Sequence, residues 1–337
     1  MKKLISVLLA AALILAAGYF GVTAWIGAPL DKNDDSVRIV SVSEGSGTYD
    51  IAVVLEENGI IDNTSFFRIL SKLKRYDGRY IAGAYELSPS MSMTEIMKKI
   101  ASGDTATESF TVIEGQTVEK IAHNLDAAGI VDYDEFMNEE QHGVFDYDFL
   151  EGCENSMYRL EGFLYPDTYH FDMGTDAHDV IDIMLKRFDE VIYSQYKDVS
   201  CKYSFRETVI IASIIQREAG RKEDMADVSS VIYNRLDIGM ALQMDSVVSY
   251  ILQEDKVDLT YSDINVDSDY NPYKNTGLPP GPISSPGLDA VKAAFNPNDT
   301  DYLYFVLSDR LDGSTNFSSD YSQFEKDKKA YYDAKDK

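Results

Sequence analysis

Histidine, tryptophan and cysteine are scarce in this chain of 337 residues: four, one and two respectively. His123, His142, His170 and His178 form no H-E-x-x-H pair, and Cys153 and Cys201 lack metal-ligand spacing, so no metal and no cofactor is expected. Whether the two cysteines pair is left open by the sequence. Positive charge is also short. Thirty-one Lys and Arg stand against 57 Asp and Glu, a net charge of −26. That balance argues against nucleic acid as a partner and against docking on anionic lipid through a basic face.

Charge is missing altogether from Leu4 to Leu30, after Lys2 and Lys3 and before Asp31, Asp34 and Asp35. A run of that length can cross a bilayer, and the flanking charges predict a cytoplasmic N-terminus with the body outside. A cleaved signal peptide has a shorter apolar core, which favours the anchor, while Ala10-Ala11-Ala12 and Leu15-Ala16-Ala17 supply the small residues that a cleavage site would need. The segment contains no cysteine, which excludes a lipoprotein. The expected location is the cell membrane, single-pass, with the catalytic part extracytoplasmic.

What the chain does have is apolar residues at 45% and 23 tyrosines, enough for sizeable cores. It also has a repeat. Val42–Asp62 (VSEGSGTYDIAVVLEENGIID) aligns without a gap on Val112–Asp132 (VIEGQTVEKIAHNLDAAGIVD) at an offset of 70 residues. Each copy reads as strand, Gly turn, amphipathic helix and second helix. Between them, Tyr80–Leu87 reads as a strand and Met93–Ala101 as a helix ending at Gly103. Two copies do not make a solenoid. They read as small α+β modules that resemble LysM-type glycan-binding modules.

In the second half, Arg159–Phe171 (RLEGFLYPDTYHF) suggests a strand or loop with rings on display. The most informative helix is SFRETVIIASIIQREAG, Ser204–Gly220. Ser204 and Glu207 fit a capping box, and Gly220 is a plausible stop. On a helical wheel Ile210, Ile211, Ile214 and Ile215 form one apolar stripe, and Glu218 falls within it. A carboxyl there is desolvated, which raises its pKa and keeps a proton ready for general-acid work. Further on, Asp224–Leu236 reads as a helix, Asp245 as a helix N-cap, Asn271–Gly287 as a Pro/Gly loop, and the tail as a frayed helix.

The ordered segments LEGFLYPDTY, IIASIIQREA, VIYNRLDIGMALQMD and GLPPGPISSPGLDAVKAAFNP…DYLYFV closely resemble the endolytic murein transglycosylase family, the YceG-like proteins. The resemblance spans almost the whole chain. It implies cleavage between MurNAc and GlcNAc within peptidoglycan glycan strands, leaving 1,6-anhydro ends. Implied partners are those strands and peptidoglycan synthases at the membrane. The family's catalytic Glu maps onto Glu218. Members commonly carry a second acid two residues earlier, where this chain has Gln216. The usual LQSDPT reads LQMDSV, which places Ser246 where proline is usual. Thr315 and Phe324 stand where the family often has histidines. Around Glu218, Asn234, Gln243 and Asp245 are expected on sugar hydroxyls or on the carboxylate. Tyr270, Asn271 and Tyr273 are expected to line the groove, with Glu161 supplied by the LEGFLYPDTY segment.

The expected fold class is α+β: an N-terminal transmembrane helix, LysM-like repeat modules, then a mixed α+β catalytic domain with a central buried helix. The expected boundaries are an anchor at 1–30, repeats at 31–155 with copies starting near 42 and 112, catalysis at 156–325 and a tail at 326–337. Two other readings use the same residues. One is a muramidase-type hydrolase with Asp245 or Glu161 as second carboxylate. The other is a membrane-anchored wall-binding scaffold in which the repeats do the work.

Overall fold

The computed structural model describes residues 18, 21–254, 256 and 259–336. The chain is α+β with small sheets, divided into two compact units. The first comprises the described residues up to Ser109 together with His170–Thr175. Strand β1 (Arg38–Val42) pairs antiparallel with β2 (Gly83–Leu87), Arg38 opposite Leu87 and Val42 opposite Gly83. Helices α1 (Thr48–Glu57), α2 (Thr64–Lys74) and α3 (Met93–Ser102) accompany them. Alternation along the strands turns Val40, Val42, Tyr85 and Leu87 into the core, where Leu55, Phe67, Leu70, Ile96 and Ile100 are also buried. Each helix start has a local cause. Asn63 accepts the Phe66 N–H, and Ser92 and Glu95 exchange the reciprocal bonds of a capping box.

The fold-class expectation is corrected at its first element. Among the described residues no helix is long and apolar enough to cross a membrane. Of Leu4–Leu30, residues 4–17, 19 and 20 lie outside the described residues. The described part is helical only to Ile26. There the Gly27 N–H bonds to Thr23 O (3.0 Å) and the Ala28 N–H to Trp25 O (3.4 Å), which closes the last turn. Pro29 then follows, and a proline cannot extend the hydrogen-bond ladder.

The chain leaves the first unit along β3 (Thr107–Thr111) and re-enters it along β4 (Thr168–Asp172), and these strands pair. The second unit begins with α4 (Val118–Ala127) and α5 (Tyr133–His142). The order strand, helix, helix therefore occurs twice, matching the sequence repeat. The rings of the Arg159–Phe171 segment are not on display: Phe163, Tyr165, Tyr169 and Phe171 are buried. Phe163 stacks with Phe149 and meets Phe188 edge-on, so alternation here serves a core and not a surface.

Helix α6 (Ala177–Phe188) runs on through a wider π-type turn at Asp189–Tyr193. The centre of the unit is α7 (Phe205–Glu218), in which every residue from Thr208 to Ile215 is buried. It packs against α8 (Met225–Asp237), α9 (Asp245–Leu252) and α10 (Leu288–Phe295). The capping box is present: Glu207 Oε2 accepts from Ser204 N (2.8 Å), and Ser204 Oγ from Glu207 N (3.3 Å). The helix ends one residue before Ala219, which is extended, so Gly220 is not its left-handed cap. The short hairpin β5 (Tyr304–Leu307) and β6 (Thr315–Ser318) and the terminal helix α11 (Tyr321–Lys335) complete the unit. Cys153 and Cys201 are both free thiols, so they do not pair.

The Pro/Gly loop is pinned onto α7. Ser213 Oγ accepts the Ile283 N–H (3.1 Å), Ser284 Oγ donates to Ser213 O (3.1 Å), and Gln216 Oε1 accepts the Gly287 N–H (2.9 Å). The loop also meets the LEGF segment. Gly162 has φ +86°, and a Cβ there would lie 2.6 Å from Pro282 Cβ. Gly162→Ala therefore meets both a left-handed backbone and a rigid ring, and should cost roughly 2–3 kcal/mol. Urea unfolding of the variant checks this, and an unshifted midpoint would contradict the contact.

Candidate active site

Glu218 is the last residue of α7, half-buried. Two helix ends meet at its carboxyl group. The C-terminal end of α7 presents unpaired carbonyls, which disfavour an anion. The first turn of α9 presents free N–H groups, which favour one. Ser246 uses both of its donors on a single oxygen: its Oγ lies 2.6 Å and its backbone N 3.2 Å from Glu218 Oε1. Burial is the largest influence and pushes the Glu218 pKa up. The Ser246 bonds oppose it, the neighbouring Asp245 charge adds to it, and Arg217 offsets it. With Oε1 engaged by two donors, Oε2 is the oxygen left to carry and release a proton.

Space adjoins Glu218 on two sides. One cavity of about 510 Å³ runs past Arg217, Ser249 and Leu307, and a second of about 400 Å³ past Gln243, Tyr273 and Tyr304. Glu218, Asp245, Phe305 and Val306 line both. A third, of about 750 Å³, shares Arg217 and Ser249 with the first and has residues 113–120 of the second repeat copy as a wall.

The structure brings together four of the eight residues expected from the sequence. Glu218, Gln243, Asp245 and Tyr273 line the same cavity, and the Tyr273 hydroxyl donates to Asp245 Oδ1. The other four are committed elsewhere. Asn234 Nδ2 donates to Thr300 O and Tyr302 O, each at 2.9 Å. Asn271, fully buried, donates to Ile264 O and Val266 O and accepts from Tyr273 N. The buried Tyr270 hydroxyl accepts the Met157 N–H (3.0 Å). Glu161, with 0% exposure, accepts the Val118 N–H on both oxygens at 3.2 Å and so caps the start of α4. Burial, partly offset by that bond, pushes its pKa up to about 8. These are bonds to distant backbone, which spacing along the chain does not reveal.

Several residues were missed from the sequence. Ser246 was noted only as a substitution for proline. Tyr304, Phe305 and Val306 appeared only within the resemblance segment DYLYFV. Tyr321, Phe324, Lys328 and Tyr332 line the 400 Å³ cavity from α11; their spacing of three, four and four residues could have marked one helix face. Among the described residues no cluster of His, Cys, Asp and Glu is arranged to hold a metal ion.

The family model described as YceG-like matches residues 40–330. A Bacillus subtilis protein named endolytic murein transglycosylase is 32% identical over 325 residues, covering 91% of this chain and 88% of its own length. A Streptococcus pneumoniae protein of the same name is 32% identical over 332 residues, covering 90% of this chain and 60% of its own length. The crystal structure of a yceG-like protein from Listeria monocytogenes is similar with a TM-score of 0.58 and 34% identity, over 86% of this chain and 99% of that one.

Two titrations test the electrostatics. Ser246→Ala removes one donor that favours the anion, so the Glu218 pKa should rise, measured by NMR of the labelled carboxyl; a fall or no change would contradict the assigned bond. For Glu161, the folded pKa of about 8 lies above the ordinary 4.5. The folded state then binds more protons than the unfolded one between those values, so stability should fall as pH rises from about 4.5 to about 8. Glu161→Gln should flatten that slope in urea midpoints measured at pH 5 and pH 8. Parallel pH dependences for the two proteins would refute it.

Proposed function

Because the chain belongs to the YceG-like family, we propose that it is an endolytic murein transglycosylase with Glu218 as its single general acid and base. The substrate is the glycan strand of peptidoglycan, cut between MurNAc and GlcNAc. Oε2 of Glu218 gives its proton to the bridging oxygen as the bond from C1 to that oxygen breaks. The resulting carboxylate then takes the proton of the 6-hydroxyl of the same muramic acid, whose oxygen closes onto C1. The products are a 1,6-anhydro end and a strand with a free 4-hydroxyl, and Glu218 is protonated again. Ordinary glycosidases use two carboxylates because a water or an enzyme nucleophile must be directed at C1. Here the nucleophile is carried by the substrate, so proximity replaces the second carboxylate.

The observation that carries this reading is the state of the carboxyl groups. Glu218 is the one biased towards its protonated form while still lining both cavities. Asp245 is occupied by the Tyr273 hydroxyl, and Glu161 has no exposure. The Asp245 carboxylate can face the positive charge that develops on the ring. Space on two sides of Glu218 suits cutting within a strand. The cavity walled by the second repeat copy extends that space and supports a role for the repeat in holding the polymer. The reading also places the active part outside the cytoplasm, where nascent strands leave peptidoglycan synthases.

Glu218→Gln keeps the shape and the Ser246 bonds but cannot exchange a proton. It should fold normally and lose about 10²–10⁴ in rate or more, since one residue serves both steps. Digestion of purified peptidoglycan, read by mass, decides. Wild type should give anhydro-muramic ends, one water lighter than reducing ends. Reducing ends from wild type would indicate a hydrolase with Asp245 as second carboxylate, and strong cutting by Glu218→Gln would overturn the assignment.

A further inference from the structure

Helix α11 packs on β5 and β6 yet has no buried residue. Its face of Tyr321, Phe324, Lys328 and Tyr332 walls the 400 Å³ cavity that contains Glu218 and Asp245. Tyr304 of β5 joins that face. It stacks on Phe324 with centroids 5.5 Å apart and interplanar angle 27°, and meets Tyr321 edge-on at 5.4 Å. The stack is therefore held from the sheet side. Tyr321 and Tyr332 remain 58% and 42% exposed. Lys328 lies with its ammonium 5.8 Å from the Phe324 ring and makes no ion pair among the described residues. In a chain of net charge −26, a cation against a ring in the cavity that Glu218 also lines stands out. The other cation of this cavity, Arg235, is buried and donates to the carbonyls of Leu303 and Leu242.

Exposed rings that carry a hydroxyl suit a ligand with an apolar face and polar edges. A pyranose has that character: its axial C–H groups form an apolar face and its hydroxyls a polar rim. We propose that the α11 face is a binding subsite for the same glycan strand, on one side of the bond that is cut. Tyr321 and Tyr332 offer ring surfaces to sugar faces. Lys328 meets a carboxylate of the peptide stem on the strand, as a charge-assisted contact. The inference rests on the proposed function, because continuity with the Glu218 cavity is what names the occupant.

The test compares wild type with the exposed-ring variant Tyr321→Ala/Tyr332→Ala on strands of graded length. Circular dichroism and thermal melting report on α11 in both. Each lost ring contact weakens binding severalfold, so kcat/KM on long strands should fall about tenfold or more, mainly through KM. The shortest fragment that wild type cuts should be affected least. Tyr321→Phe/Tyr332→Phe should keep most of the wild-type activity. Lys328→Ala should raise KM more for strands that bear stems than for strands stripped of stems by an amidase. If wild type cuts and the double alanine variant, folded, cuts every length equally well, the subsite is refuted while the proposed function stands. If wild type cuts no strand, the proposed function fails and the subsite falls with it. An equal effect of Lys328→Ala on stemmed and stripped strands would overturn the stem contact alone.

Discussion

A carboxyl group placed between the end of one helix and the beginning of another is pulled in two directions. The carbonyl end of α7 and the surrounding apolar wall favour the acid. The N–H end of α9 and the Ser246 hydroxyl favour the anion. The rest of the second unit is arranged so that neither influence is lost. Burial of α7 from Thr208 to Ile215 fixes where its last turn ends. The packing of α9 on α7 brings Ser246 to Glu218. The double role proposed for Glu218, giving a proton and then taking one, needs a balance of this kind. A more deeply buried carboxyl would give up its proton reluctantly, and a more exposed one would lack a proton to give.

The same last turn of α7 carries three polar residues with separate duties. Gln216 accepts from Gly287 and donates to Glu114 at 3.5 Å. Arg217 lies between two cavities, and Glu218 faces the site. A neutral side chain at 216 suits its position, since a second anion there would lie against the Glu114 carboxylate. The loop that passes over α7 is held by donors and acceptors from this turn and from Ser213, so site and loop share their supports.

Features with a local cause could be read from the sequence. The Ser204–Glu207 capping box, the repeated strand–helix–helix order and the place of Glu218 in an apolar stripe all follow from neighbours within a few residues. Features with a distant cause could not. Nothing near Glu161 in the chain indicates that it caps a helix at Val118, and Asn234 and Asn271 give no sign that their amides serve remote carbonyls. All three are polar residues within motifs, which is why a sugar contact was expected of them. The tail was read as a frayed helix, and a helix is present over Tyr321–Lys335; its aromatic face is meaningful only beside Tyr304. The apolar N-terminal run was judged by hydropathy, whereas Gly27 and Pro29 end its described helix.

One of the two donors to Glu218 is main chain. Almost any residue could replace Ser246 without removing that N–H; only proline lacks it. Part of the electrostatic setting of the acid is therefore shielded from mutation and leaves no trace in side-chain identity. A chain that carries proline at this place, as in the LQSDPT pattern of the resemblance, forgoes the main-chain donor. Two relatives with the same glutamate can then differ in how much of the time it holds its proton at rest. Divergence in working pH can thus arise from the main chain beside the acid, with the acid itself unchanged.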